Sequence, residues 1–167
     1  MHYRIERKEN MGLFFFGTII NTRESKKDEL SILLERWKTS GEIFAEVDDL
    51  DSYGDWTILP DLELDNPEDI AERVSNELAT STLSVVIADS DYAKIDLFDN
   101  NQKATLQFGD VEEYGKEEGN QNIELFEKCL VEPYKLEDIK QLLSEECIFV
   151  EDAVYKLLGM MGIKVVF

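Results

Sequence analysis

With 167 residues, 43% of them hydrophobic and 10% aromatic, the chain has the length and apolar content of one folded domain, residues 1–167, that needs no disulfide or metal to hold it. Thirty-seven acidic against seventeen basic side chains leave a formal net charge of −20, which sets the protein against phosphate backbones and anionic lipid surfaces. A single histidine, His2, leaves no central residue for a Ser-His-Asp triad, a Cys-His dyad or a multi-histidine metal site.

In chain order, the first predicted element is a strand. Leu13 to Ile20 is apolar in both alternating phases and rich in aromatic and β-branched residues, as in a strand covered on both faces. The same run is too short for a membrane span, carries Gly17 and has no small-residue cleavage site after it, so it predicts a soluble, cytoplasmic chain and not a leader peptide. Ser25 and Asp28 signal a helix start, and Leu30, Leu33, Leu34 and Trp37 share one helical face up to Ser40-Gly41. Ile43–Val47 and Trp56–Leu59 read as short strands. Asn66-Pro67-Glu68-Asp69 places a capping residue, a first-turn proline and two acids ahead of Ile70, Val74 and Leu78, predicting a second helix. Residues 1–80 thus give a β-α-β-β-α order.

Residues 81–108 carry three β-rich runs, Leu83–Ala88, Tyr92–Phe98 and Ala104–Phe108. The separators are Asp89-Ser90-Asp91 and Asp99-Asn100-Asn101-Gln102, so a three-stranded meander is expected. Residues 109–122 are polar and read as an exposed loop. Residues 123–163 are helical by period, with Ile123, Phe126 and Leu130, then Leu136, Ile139, Leu142 and Leu143, then Val150, Val154, Leu157, Leu158 and Met161; Gly159 and Gly162 mark the end. The fold class is α+β: a mostly antiparallel sheet with a β-meander, helices on one or both faces and a helical C-terminal part. Cys129 and Cys147 lack metal-ligand spacing and are expected as reduced packing residues.

The acidity is uneven. Twelve acids and no Lys or Arg lie between Glu42 and Glu72, and residues 39–100 hold 17 acids against 2 bases. Carboxylates around aromatic side chains suit capture of a cationic partner, because charge steers the encounter and rings supply desolvated contact area. On that pattern the expected partner-binding residues are Asp48, Asp49, Asp51, Asp55, Asp61, Glu63 and Asp65, with Tyr53 and Trp56 as anchors. Glu112, Glu113, Tyr114, Glu117 and Glu118 form a second candidate patch. The opposing expectation is a solvated acidic face with Trp56 in the core.

Asp49–Pro60 has acids at positions 1, 3 and 7 and glycine at 6 of a calcium-loop pattern, but Tyr53 at position 5 and Pro60 at position 12 remove the coordination that defines one. No phosphate-cradling, nucleophile-elbow or metalloprotease motif is present, so neither an enzyme nor a cofactor is expected.

The run Ser84 to Phe108, with Asp89-Ser90-Asp91-Tyr92 before a strand and Asp99-Asn100-Asn101 at the next hairpin, and the ending Phe149-Val150-Glu151-Asp152-Ala153 through Leu157-Leu158-Gly159 to Ile163, resembles small acidic bacterial immunity proteins of polymorphic or contact-dependent toxin systems. The resemblance covers about half the chain and rests on turn and cap chemistry. It implies a cytoplasmic, non-enzymatic protein that binds a cognate basic toxin domain, often a nuclease, and blocks it. A DNA mimic acting on a host DNA-binding protein and a carboxylate- or Mg²⁺-dependent enzyme are the alternatives.

Overall fold

A computed structural model describes residues 12–47, 50–60, 62, 64–114 and 119–165. Six strands form one antiparallel sheet in the order β2-β3-β1-β4-β5-β6, accompanied among the described residues by five α-helices, so the fold is α+β. The strands are β1 (Phe15–Asn21), β2 (Asp51–Tyr53), β3 (Trp56–Leu59), β4 (Thr82–Ala88), β5 (Tyr92–Asp99) and β6 (Gln102–Gly109). The helices are α1 (Lys26–Thr39), α2 (Pro67–Leu78), α3 (Val111–Tyr114), α4 (Leu136–Ser144) and α5 (Val150–Met160). No helix among the described residues is long and apolar enough to cross a membrane.

Contacts divide the chain into two compact units. The first, here the hairpin unit, comprises Phe16–Val85 and Asp96–Lys103; the second, the meander unit, comprises the described parts of Met1–Phe15, Val86–Ile95 and Ala104–Phe167.

In the hairpin unit the apolar face of α1 (Leu30, Leu33, Leu34, Trp37) and that of α2 (Ile70, Val74, Leu78) join Ile20, Leu59 and Leu62 in one buried cluster. Burial on this scale stabilises by roughly 1.5–3 kcal/mol per large apolar side chain, so these two periodic faces dominate the unit's energetics. Asn66 caps α2 as the sequence predicts, its side-chain oxygen accepting from the N–H groups of Glu68 (3.0 Å) and Asp69 (3.3 Å). Ser25 takes no such role: its hydroxyl donates to the Glu29 carboxylate at 3.0 Å instead of accepting from a first-turn N–H. Helix α2 is pinned by two buried threonines, Thr18 donating to Pro67 O (3.0 Å) and Thr82 to Ala71 O (2.6 Å).

Ile43–Val47 is irregular, not the strand its alternation predicts. The alternation is real, since Ile43, Ala45 and Val47 are buried in the core cluster while Phe44 and Glu46 are exposed. What differs is the hydrogen bonding: the backbone donors of Phe44 and Ala45 go to the Asp65 carboxylate, leaving them unavailable to a neighbouring strand. Period-two burial needs only an extended backbone; a strand also needs a ladder.

In the meander unit the turn at Ser90 ties three segments together. Its hydroxyl accepts from Leu13 N–H (2.7 Å) and donates to the buried Glu151 carboxylate (3.0 Å), while its carbonyl accepts from Val150 N–H (3.1 Å). Gly109 ends β6 at φ +83°, where a Cβ would stand 1.9 Å from the Asp91 carbonyl oxygen and 2.4 Å from Val150. Only glycine fits a left-handed backbone pressed against another chain segment.

Three sequence expectations need correction here. Ile123–Cys129 is a 3₁₀ helix, with Phe126 and Cys129 buried at the three-residue spacing of that form, whereas an α-helical period places Phe126 with Leu130. Residues 109–122 are not simply loop. They contain α3, and Gln121 exchanges both backbone hydrogen bonds with Thr105 at 2.9 Å, returning the chain to the β6 edge. Gly159 lies inside α5, and it is Gly162, at φ +77°, that follows the helix end.

Candidate functional site

The acid-rich stretch belongs to the hairpin unit, and its described part is built around two features, a β-hairpin and a carboxylate-bridged loop. Strand β2 pairs antiparallel with β3, setting Asp51 opposite Ile58, Ser52 opposite Thr57 and Tyr53 opposite Trp56, with Gly54 at φ +60° in the turn. Strand β3 pairs on its other side with β1. The segment that resembles a calcium loop in its spacing therefore folds, over its described residues, as a hairpin. Thr57 anchors it through hydroxyl contacts to Thr22 (2.8 Å) and Ser52 (3.1 Å).

This placement sorts the expected site residues. Asp48, Asp49, Asp61, Glu63, Glu117 and Glu118 lie outside the described residues. Trp56 is 3% exposed, so its indole packs in the core and cannot anchor a partner; a four-residue strand flanked on both sides buries every side chain it carries. Tyr53 is half-buried, and burial, with Asp51 nearby, pushes its hydroxyl above the usual tyrosine range. Asp51 is half-buried in β2. Asp55 is exposed and bound to Arg23 at 2.8 Å. Asp65 is half-buried and engaged with backbone, accepting from Phe44 N–H (3.0 and 3.2 Å) and Ala45 N–H (3.0 Å). In the second patch Glu112 is exposed on α3, which Glu113 and Tyr114 complete.

A stretch without Lys or Arg recruits them from elsewhere. Glu46 pairs with Lys38, Glu42 with Arg73, and Glu68 with Lys103. The Ser40 hydroxyl, and after it Arg73, hold the Glu42 carboxyl below the usual glutamate range. Arg73 also stacks over Trp37, its guanidinium carbon 4.1 Å from the ring centroid. Exposed pairs of this kind contribute only about 0–1 kcal/mol each, so they neutralise locally without locking the surface. Asp69 and Glu72 on α2 are exposed and form no ion pair among the described residues.

The sequence reading missed the apolar members of this surface. Phe44 is 67% and Leu64 80% exposed, and the Asp65 carboxylate that follows Leu64 is the group bound to the Phe44 backbone. The two side chains are thus held on neighbouring segments, with Glu42 and Glu46 close in sequence. A signal existed: Phe44 occupies the outward phase between buried Ile43 and Ala45, and Leu64 stands alone between two acids.

Among the described residues no group of three His, Cys, Asp or Glu side chains is placed to hold a metal ion. Comparison with protein-family models, with curated proteins and with solved structures finds no match.

Proposed function

We propose that the protein is a non-enzymatic inhibitor that captures a basic protein domain, a toxin domain of the nuclease kind, and occludes its cationic cleft. The observation that carries this reading is the pair of exposed apolar side chains, Phe44 and Leu64, fastened together through Asp65 inside a stretch that contributes carboxylates and no cation of its own. Large apolar groups that desolvate on contact supply most binding energy at an interface, and surrounding charges set the rate and choice of partner. A nuclease must present a cationic surface to hold its substrate, which makes it complementary to this one. The reading also agrees with the resemblance to immunity proteins in the meander and the C-terminal helix. Phe44 and Leu64 replace Trp56 as anchors in it.

The test is co-expression with a basic domain taken from the neighbouring reading frame, should that frame encode one. Wild-type protein should protect cells and bind the domain with an association rate that falls steeply as salt is raised. The double variant Phe44→Asp, Leu64→Asp should retain its circular dichroism and melting temperature and lose protection. Equal protection by wild type and variant, or binding of several unrelated DNA-binding proteins in place of one domain, would overturn the proposal.

A further inference from the structure

The hairpin unit holds one arginine of its own between a carboxylate and an aromatic ring. Arg73 donates to Glu42 Oε2, and its guanidinium carbon stands 4.1 Å from the Trp37 ring centroid. The Ser40 hydroxyl donates to the other oxygen, Glu42 Oε1, at 2.7 Å. Trp37 is 2% exposed and belongs to the core cluster, so ring, guanidinium and carboxylate are all fixed. Glu42 is thus committed within the molecule.

A few residues further along, the same two kinds of group recur without an arginine. Phe44 and Glu46 are the exposed residues on either side of buried Ala45, with Ile43 and Val47 buried beyond them. Alternating burial turns both exposed side chains toward solvent, and two residues of chain separate their backbones by at most about 7 Å, within reach of one long side chain. The Phe44 ring is 67% exposed, and among the described residues no cation stands over it. The Glu46 side chain is 81% exposed; its Oε2 accepts from Lys38, and its Oε1 has no hydrogen-bond partner among the described residues.

A lysine donates from a single point and fills one carboxylate oxygen. A guanidinium fills both oxygens with parallel N–H donors and can lay its plane on a ring. The Lys38 contact is exposed, and exposed pairs are weakly held, so a better-matched cation displaces it at little cost. The Phe44 and Glu46 pair thus differs from Trp37 and Glu42 in one respect: its arginine has to come from another molecule.

We propose that Phe44 and Glu46 receive one arginine side chain of the captured protein and that Lys38 is the resident competitor it displaces; this rests on the docking surface proposed above and names the chemistry of one contact on it. Leu64, held near Phe44 through Asp65, offers apolar surface to the residues that flank the arginine. A ring and a carboxylate acting together separate arginine from lysine, which bulk negative charge does not do. Lys38 sets a threshold as well: a cation no better matched than a lysine gains nothing by the exchange.

The experiment is an NMR titration of isotope-labelled, full-length protein with two blocked peptides, Leu-Arg-Leu and Leu-Lys-Leu. Saturable shifts at residues 44–46 and at Lys38 are expected with the arginine peptide, at an affinity about threefold above that of the lysine peptide. Phe44→Leu keeps an apolar side chain but removes the ring, and should erase that preference. Glu46→Gln should weaken arginine binding about threefold. Lys38→Gln should strengthen it about threefold relative to Lys27→Gln, which removes the same charge from an exposed position on the same helix. That gain should vanish in the double variant Lys38→Gln, Glu46→Gln. None of these four side chains is buried, so the variants keep the fold. Equal affinities for the two peptides, unchanged binding in Glu46→Gln, or equal effects of Lys38→Gln and Lys27→Gln would overturn the assignment. Loss of protection in Phe44→Asp, Leu64→Asp without any arginine preference in the titration sinks this inference alone. An arginine preference with protection intact in that variant leaves the arginine site standing and sinks the inhibitor reading.

Discussion

The hairpin unit and the meander unit bring carboxylates together differently, the first along one stretch of chain and the second from separate segments. In the first, where acids are densest in the sequence, Glu42, Glu46, Asp55 and Glu68 each meet a cation brought from outside the stretch and Asp65 is bound to backbone donors. In the second, Asp91, Asp110, Glu145 and Glu146 come from three separate segments to line one cavity, and Glu145 pairs with Lys156 at 3.3 Å. Density along the chain is thus a poor guide to net local charge. Cations near in space cancel it, and only the fold decides which those are.

The sharpest way to break this comparison is through the backbone that shapes each region. Gly109 and Gly54 both have positive φ, but a Cβ at Gly109 meets the Asp91 carbonyl whereas at Gly54 it meets nothing within 4 Å. Gly109→Ala should cost about 4 kcal/mol in urea unfolding and Gly54→Ala about 1 kcal/mol. Similar losses would mean that the meander wall yields. Next in size, Ser90→Ala removes the acceptor for Leu13 N–H and the donor to buried Glu151, with an expected loss of about 2–3 kcal/mol by the same measurement.

Asp65→Ala should cost about 2 kcal/mol and Asp65→Asn about half of that, since the amide keeps one acceptor for the Phe44 and Ala45 donors. Backbone amide exchange at those two residues should accelerate in the alanine variant; unchanged exchange would refute the bridging role. Asp55→Ala, by contrast, removes only an exposed partner of Arg23 and should change stability by less than about 0.5 kcal/mol.

The smallest effect is electrostatic. A Glu42 carboxyl held below its usual range contributes stability that is fully present above the unfolded-state value and disappears as pH falls through the lowered folded value. Ser40→Ala removes the leading cause and should move the Glu42 carboxyl titration, followed by NMR, back toward ordinary glutamate. A midpoint that stays put would assign the shift to Arg73 alone.

Where local pattern and tertiary structure agree, the sequence was a sufficient guide. The apolar faces of α1 and α2, the Asn66 cap and the three runs of the meander are each set by side chains within a few residues of one another. The failures share a cause. Ile43–Val47 lost its ladder to a carboxylate some twenty residues on, Trp56 was buried by strands on both flanks, and Gln121 returned to β6 across a polar stretch that looked unstructured. Each depends on a partner remote in sequence. The cavity lined by Asp91, Asp110, Glu145 and Glu146 was illegible for the same reason, since its acids come from three segments.

The two rims of the sheet bear on how the molecule meets others. At one, β2 is three residues long and begins with a carboxylate. At the other, the outward amide protons of Thr105 and Gln107 are already donated, to the Gln121 carbonyl and the Asn120 side chain. Among the described residues, an extended segment added beside β6 meets two donors already spent, and one added beside β2 has only three residues to pair with. The same features work against stacking edge to edge into fibres.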